Sequence, residues 1–367
     1  MYYKQYGNSG MKVSAAGMGT MRYNEEDIKA GNLSKCAEVV LYAHEKGINF
    51  FDSAPFYCED KSEEITGMAL SQLPRNSFYL SSKMNLGTIK GKGTADAFRR
   101  RLENSLKRLK TDYLDFYYLW CLLDLTSFAK QFDLLYPFFE QAKKDGLIKN
   151  ITFSSHMKGD DLEKVIGTDA FTGMLIGYNA LNYRFRQAGI SAASKKGMGI
   201  VIMNPLGGGL IPDNPEIFRY LADDTDLTVP QAALRFVASH KEISVALAGC
   251  TSKEHVDDTV KAVEGLVEKP ADEIYAFYEN KGVALNNLCT GCSYCKSCPQ
   301  EIDIPKYMDS YNEKLLGHKI MDRLSYHWGI PASKAAECIR CGQCETLCTQ
   351  HLLIMNRLAE IALLDRQ

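Results

Sequence analysis

The chain has 367 residues, with 43 Lys and Arg against 45 Asp and Glu, a net charge of −2 and 46% hydrophobic residues; this length holds two or three ordinary domains, or one closed α/β barrel with a small companion. A charge so near balance weighs against a nucleic-acid partner, because phosphate binders carry a basic excess. No apolar run approaches the roughly 20 residues of a membrane span, and Met1 to Gly7 lacks the apolar stretch of a secretory signal, so a cytoplasmic protein with no membrane partner is expected.

In chain order, short apolar runs fall at Val13–Met18, Asn49–Asp52, Phe78–Ser82, Tyr113–Leu119, Asn150–Phe153, Met174–Tyr178, Gly199–Met203 and Ser244–Ala248. Segments of helical period separate them. In Thr94–Lys110, for example, Ala95, Phe98, Leu102, Leu106 and Leu109 recur every three or four residues, with Arg and Lys on the other face. Such an alternation predicts a (β/α)8 TIM barrel, with an open doubly wound sheet as the alternative. No G-x-G-x-x-G turn follows the first run, which counts against the open dinucleotide fold. In a barrel, the C-terminal strand ends share one mouth. Here they read Asp52, Lys83, Trp120, Ser154-Ser155, Asn179, Asn204 and Gly249.

After Pro270 the pattern changes to a helix over Ala271–Lys281, a cysteine cluster, a polar helical stretch, a second cluster and a closing helix over Leu352–Leu364. The expected division is a barrel over residues 1–269 and a small α-helical domain over 270–367. Cys36, Cys58, Cys121 and Cys250 are scattered, whereas the other eight of the twelve cysteines lie between Cys289 and Cys348. Clustered thiols in a cytosolic chain point to metal. Cys289-x2-Cys292-x2-Cys295-x2-Cys298-Pro299 and Cys338-x2-Cys341-x2-Cys344-x3-Cys348 approximate the spacing of bacterial two-cluster ferredoxins, in which the fourth cysteine of each motif crosses to the other cluster. The expected sets are therefore Cys289, Cys292, Cys295 and Cys348 for one 4Fe-4S cluster, and Cys298, Cys338, Cys341 and Cys344 for the second. Two zinc sites are the alternative, but zinc ribbons space their cysteine pairs more widely. Thr349 replaces the usual proline, the first motif closes with a two-residue gap, and the long stretch from Cys298 to Cys338 predicts halves set further apart than in a compact ferredoxin.

At the predicted mouth, Asp52, Tyr57 and Lys83 form a candidate proton-transfer group. Asp52 would hold the ammonium of Lys83, whose charge favours the Tyr57 phenolate. An ion pair beside a packed tyrosine is the structural alternative.

The runs Gly47–Tyr57, Leu80–Lys83, Asp112–Tyr117, Phe153–His156 and Asn204–Gly209 resemble the aldo/keto reductase family, and the whole chain, with both cysteine motifs, resembles its subgroup carrying a C-terminal ferredoxin-type domain. The resemblance implies Tyr57 as general acid tuned by Lys83 and Asp52, with NADP(H) or NAD(H) across the mouth. It places Gly19, Thr20, Met21, Ser154 and Ser155 at the nicotinamide. Asn204, Pro205, Leu206, Gly208 and Leu210 would take the pyrophosphate, and Gly249, Lys253 and His255 the adenosine. The chain also departs from the family. Trp120 stands where the resemblance implies a histidine, Leu175 where a glutamine grips the nicotinamide amide, and Asn204 where many members border the ring. Gly249 and His255 replace a basic pair.

The expectation is an oxidoreductase acting on a carbonyl or alcohol small-molecule substrate, coupled to two 4Fe-4S clusters, with a ferredoxin or flavoprotein as electron partner. A redox-neutral lyase, dehydratase or isomerase and an electron carrier with an inactive barrel stand as alternatives. His156 is either a ligand-facing or a solvated loop residue, Cys121 is expected to pack as a small apolar group, and Arg99-Arg100-Arg101 reads as a solvated helix face.

Overall fold

Each apolar run pairs in parallel with the next, and the last returns to the first. In the computed structural model, which describes residues 1–89, 94–223, 225–279 and 287–364, a hairpin of β1 (Tyr3–Gln5) and β2 (Lys12–Ser14) precedes the barrel. The barrel strands are β3 (Ala16–Gly19), β4 (Phe50–Asp52), β5 (Tyr79–Met84), β6 (Leu114–Leu122), β7 (Ile148–Ser155), β8 (Gly173–Gly177), β9 (Gly199–Met203) and β10 (Val245–Ala248). They close in the order β10-β3-β4-β5-β6-β7-β8-β9, so the open sheet is excluded.

The run Val13–Met18, expected as one strand, is two. Ala15 N–H donates to the Tyr2 carbonyl at 2.8 Å, and Ser14 Oγ donates to the Ala16 carbonyl at 2.7 Å. The chain turns there, leaving the hairpin and entering the barrel.

Tyr6, Phe50, Phe116, Tyr118, Leu175, Val201, Val245 and Leu247 form one interior apolar cluster. Tyr6 lies against Gly173 and Gly199, the first residues of β8 and β9, where an added Cβ would come within 2.1 Å of its side chain. Only glycine admits the ring, which plugs the N-terminal end and leaves the C-terminal end as the mouth. Outside the barrel, helix Ala95–Leu109 begins at Thr94, whose side chain accepts from Ala97 N–H, and buries Ala97, Phe98, Leu102, Leu106 and Leu109. Such a stripe fixes the helix to the sheet by apolar burial.

The chain divides into two compact units, Met1–Leu206 with Leu221–Asn280, and Gly207–Tyr220 with Lys281–Gln367. Helix Ala271–Glu279 therefore groups with the barrel rather than with the C-terminal unit, and the barrel's own segment Gly207–Tyr220 groups with the latter. Residues 280 and 281, the expected end of that helix, lie outside the described residues. The C-terminal unit packs Ile302, Ile304, Tyr307, Met308, Leu324, Ile354, Leu358 and Ile361 into its own core. Its closing helix spans Ile354–Ile361, shorter than the expected Leu352–Leu364, because Leu352 N–H turns back to Cys348 Sγ at 3.4 Å. Among the described residues no helix is long and apolar enough to cross a membrane.

Candidate functional site

Asp52 ends β4 and Lys83 lies in β5; the register that pairs Asp52 with Ser81 carries both to the mouth. Asp52 Oδ2 accepts from Lys83 Nζ at 2.5 Å and Oδ1 accepts from Ser81 Oγ at 2.6 Å, while Lys83 Nζ also donates to the Ser53 carbonyl at 2.8 Å. Lys83 is fully buried and Asp52 is 4% exposed. Burial pulls the lysine pKa below its usual value and the Asp52 charge opposes that pull. The ammonium stands 4.8 Å from the centre of the Tyr57 ring and 5.8 Å from that of Tyr118.

Tyr57 sits in a loop of unusual backbone. Phe56, Cys58, Glu59 and Asp60 all have left-handed φ, between 51° and 67°, a conformation that costs non-glycine residues of order 1–3 kcal/mol unless surrounding contacts impose it. Those contacts are present. Arg108 grips both oxygens of Asp60 at 2.5 and 2.7 Å, and Phe56 N–H donates to Asp60 Oδ1 at 3.1 Å. Behind the loop, the buried Glu63 accepts from Ser82 Oγ at 2.7 Å and lies 3.6 Å from Arg101 and 3.9 Å from Arg108. The expected solvated face Arg99-Arg100-Arg101 is thereby corrected at Arg101. Its side chain is 12% exposed and turns inward to Glu63 and the Phe56 ring, whereas Arg99 does pair outside with Glu103 and Asp145. The signal for this network was faint, since Glu63 reads as one more acid in the first turn of helix Ser62–Leu70.

Trp120 reaches Tyr57 because β6 bulges. Its register against β7 shifts between Leu119 and Leu122, and Cys121 takes φ 61°. Bulges re-aim side chains in this way. The indole lies edge-on to Tyr57, centroids 5.7 Å apart at 82°. Its N–H donates but cannot titrate. Cys121 is half-buried within the bulge.

The other expected contacts are more dispersed. Thr20 Oγ1 donates to the Asp52 carbonyl at 2.9 Å and shares a hydrogen bond with Ser62 Oγ at 2.7 Å, which in turn meets Ser53 Oγ at 2.8 Å. This hydroxyl chain secures the Ser53 carbonyl that holds Lys83, and neither Ser53 nor Ser62 stood out in the sequence. Ser155 Oγ donates to the Leu122 carbonyl at 2.9 Å and accepts from Met157 N–H at 3.0 Å. Ser154 is buried, and His156 is half-buried with its carbonyl accepting from Arg186 Nη2 at 2.9 Å. Leu175 belongs to the barrel's apolar interior, and Asn179 Nδ2 ties the end of β8 to the Asn204 carbonyl at 2.9 Å. Gly19 is half-buried and Met21 exposed. Asn204, Pro205 and Leu206 lie in the barrel unit, whereas Gly208 and Leu210 fall in the segment grouped with the C-terminal unit. Gly249 is exposed with nothing within 4 Å of a Cβ position. Ser252 caps helix Lys253–Ala262, His255 Nδ1 meets Thr251 Oγ1 at 3.1 Å, and Lys253 Nζ leans over the Tyr42 ring at 5.5 Å.

In the C-terminal unit the thiols fall into two neighbourhoods. Cys289 and Cys295 lie within electrostatic reach of Cys292, Cys348 and each other. Burial pushes both Cys289 and Cys295 up to about 12; metal coordination would reverse this, since a ligating thiol is deprotonated outright. The other four, Cys298, Cys338, Cys341 and Cys344, line one cavity with Ile304, Ile339 and Met355. The crossed arrangement thus fits two four-thiol centres. Among the described residues no three His, Cys, Asp or Glu side chains converge closely enough for one ion. Helix Ile304–Leu315 and the short turns Asp322–His327 and Ala332–Glu337 fill the long insertion. Across it, Cys295 of the first set remains within electrostatic reach of Cys344 of the second.

Residues 15–279 match the Aldo/keto reductase family and residues 288–353 match the 4Fe-4S dicluster domain. The chain is 26% identical over 308 residues to probable aldo-keto reductase 1 of Glycine max, covering 73% of this chain and 86% of that one. It is 25% identical over 316 residues to L-galactose dehydrogenase of Arabidopsis thaliana, covering 74% and 93%. Among solved structures, an aldo-keto reductase from Bacillus halodurans in its holo form superposes with a TM-score of 0.63 at 22% identity, covering 77% and 97%. One from Klebsiella pneumoniae in complex with NADPH does so with a TM-score of 0.62 at 22% identity, covering 76% and 95%.

Proposed function

The chain belongs to the aldo/keto reductase family, and from that premise we propose that it is a cytosolic oxidoreductase of a carbonyl or alcohol small molecule, working with NADP(H) or NAD(H) and two 4Fe-4S clusters. The observation that carries the reading is the buried Asp52–Lys83 pair with its ammonium 4.8 Å from the Tyr57 ring.

A nicotinamide at the mouth would supply or accept a hydride at the substrate carbon. Tyr57 would then give its phenolic proton to the substrate oxygen as negative charge develops there, and Lys83 would stabilise the phenolate left behind. Asp52 and the Ser53 carbonyl hold the ammonium in place, so its field is oriented before reaction. Trp120 walls the substrate side of Tyr57 and can donate one hydrogen bond, leaving Tyr57 as the titrating donor.

The fit for the dinucleotide rests on backbone more than on side chains. Thr20 and Ser155 spend their hydroxyls within the protein, Leu175 brings no amide, and Lys253 is the cation near the adenosine end. Weak discrimination between the two nicotinamides follows, because charge-assisted contacts to a 2′-phosphate are few. The eight clustered cysteines fit two cubanes that exchange single electrons, with a ferredoxin or flavoprotein as partner. The engaged hydroxyls also favour a second reading, a redox-neutral acid–base reaction at the same Tyr57.

Anaerobic titration of the iron-loaded protein with NADPH and NADH, followed by nicotinamide fluorescence, tests the choice. Binding, with turnover abolished by Tyr57→Phe, supports the oxidoreductase. Turnover without net redox and without either nucleotide establishes the second reading instead.

A further inference from the structure

A buried guanidinium needs a counter-charge or a full set of acceptors. Arg357, on helix Ile354–Ile361, is 7% exposed. Its Nη2 donates to the Asn287 carbonyl at 2.6 Å and its plane lies 4.7 Å from the Tyr311 ring, but Nη1 is buried with no hydrogen-bond partner. Glu360, one turn on, adds a carboxylate within electrostatic reach but leaves Nη1 unsatisfied, and its Oε2 accepts from Tyr311 at 2.8 Å and from Lys314 at 2.6 Å.

What Arg357 faces is the first thiol set. It lies within electrostatic reach of Cys289 and Cys348. Asn287, which anchors Nη2, is two residues before Cys289, and Asn312, next to Tyr311, clamps the Cys289 backbone through both N–H and carbonyl at 2.8 Å. A second orphan marks the same place, since the Thr290 hydroxyl is buried without a partner beside Cys289. The cavity of the other four cysteines is different. Its remaining lining is Ser297, Pro299, Gln300, Ile304, Ile339, Gly342, Gln343 and Met355, with no charged side chain.

We propose that Arg357 is a positioning and charge-compensating donor to the cluster held by Cys289, Cys292, Cys295 and Cys348, and that it makes this cluster the more easily reduced of the two. This rests on the two-cluster reading above. A four-thiolate cubane is negative when oxidised and gains one further charge on reduction, so a fixed cation close to it, with a free N–H, favours the reduced form. No charged side chain lines the cavity of the second set, so that cluster is expected to stay at lower potential.

The test is a potentiometric titration of the iron-loaded full-length protein by low-temperature EPR, comparing wild type with Arg357→Leu and Arg357→Lys, with iron and sulfide counted in each. The leucine variant is expected to shift one cluster's reduction equilibrium at least tenfold toward oxidised, about 59 mV for one electron, with the other cluster unmoved and the lysine variant between. Equal potentials in all three proteins, or a shift in both clusters alike, overturns the assignment. Should the leucine variant lose iron, the lysine variant decides: a lowered potential in one cluster upholds the proposal and an unchanged one overturns it. Wild type holding fewer than eight irons refutes the two-cluster reading itself, and the iron count registers that failure separately from the potentials.

Discussion

Replacing Asp52 with asparagine removes one charge from a pair whose other member is fully buried. At 2.5 Å and an effective dielectric constant of about 20, the lost attraction is about 7 kcal/mol. The asparagine carbonyl and the retained Ser53 carbonyl return part of it, so a net destabilisation of ~3–5 kcal/mol is expected, the range for breaking one side of a buried pair. Burial already lowers the Lys83 pKa, and without Asp52 nothing comparable opposes that pull. Between the folded pKa and the unfolded value of 10.5, the unfolded chain binds the extra proton, so stability of the Asp52→Asn variant should climb with pH across that window. The double variant Asp52→Asn, Lys83→Met leaves no orphan charge and should recover most of the loss. The chain has two tryptophans. In a Trp328→Phe background Trp120 alone reports on the barrel, and urea unfolding followed by its fluorescence reads the cycle. A single variant within ~1 kcal/mol of its parent, or a double variant no better than the single, would refute the view that this pair is a desolvated charge contact.

Trp120→His should introduce an ionisation near the ordinary histidine value, about 6.5, into the pH profile of kcat/KM, a limb absent from the wild-type profile; identical profiles would place the indole outside the reacting centre. Asp60→Asn or Arg108→Met should lower kcat roughly 10–100-fold with KM little changed, because the loop that carries Tyr57 loses its clamp and small misplacements are expensive; steady-state kinetics decide, and unaltered kcat in both variants would show that the loop holds itself. His240 is buried, with Nδ1 at 2.8 Å from the Phe236 carbonyl and Nε2 at 2.8 Å from the Tyr178 hydroxyl, and burial, reinforced by Lys4, lowers its pKa to about 4. Since the unfolded residue takes its proton near 6.5, stability should be intact above pH 6.5 and fall by about 3 kcal/mol as pH drops to 4. His240→Gln should lack this slope in urea midpoints measured across the window.

The barrel was legible because its evidence is local. Eight apolar runs with helical spacing between them announce parallel strands without reference to any distant residue, and a two-residue cysteine gap states its chemistry within ten positions. Asp52 and Lys83 stood out for a related reason, as charges at the ends of buried strands. The split of Val13–Met18 was not legible, since the run contains no turn-forming pair and breaks only because Tyr3–Gln5 competes for its first half. Glu63 and Arg101 were hidden by the same limitation. In sequence each belongs to a polar helix face, and only the packing of helix Ser62–Leu70 beside Ala95–Leu109 brings them together behind the Tyr57 loop. The hydroxyl chain Thr20–Ser62–Ser53 spans loops and a helix start and has no sequence period at all.

The two chemistries proposed for this chain differ in electron number, and that difference constrains how they combine. A nicotinamide exchanges two electrons as one hydride, whereas each 4Fe-4S centre exchanges one, so the two proposed clusters together would match a single turnover. Electrons run downhill from lower to higher potential. If Arg357 raises the potential of the cluster at Cys289 and Cys348, the lower-potential cluster at Cys298, Cys338, Cys341 and Cys344 is the point of entry. That site also has the exposed cysteine of the set, Cys341, while Cys295 and Cys348 are buried, and an external donor needs the site whose ligands reach the surface. Reducing the iron-loaded protein with a sub-stoichiometric one-electron donor should therefore place the first electron on the cluster whose potential Arg357→Leu lowers, and the variant should move that electron to the other cluster.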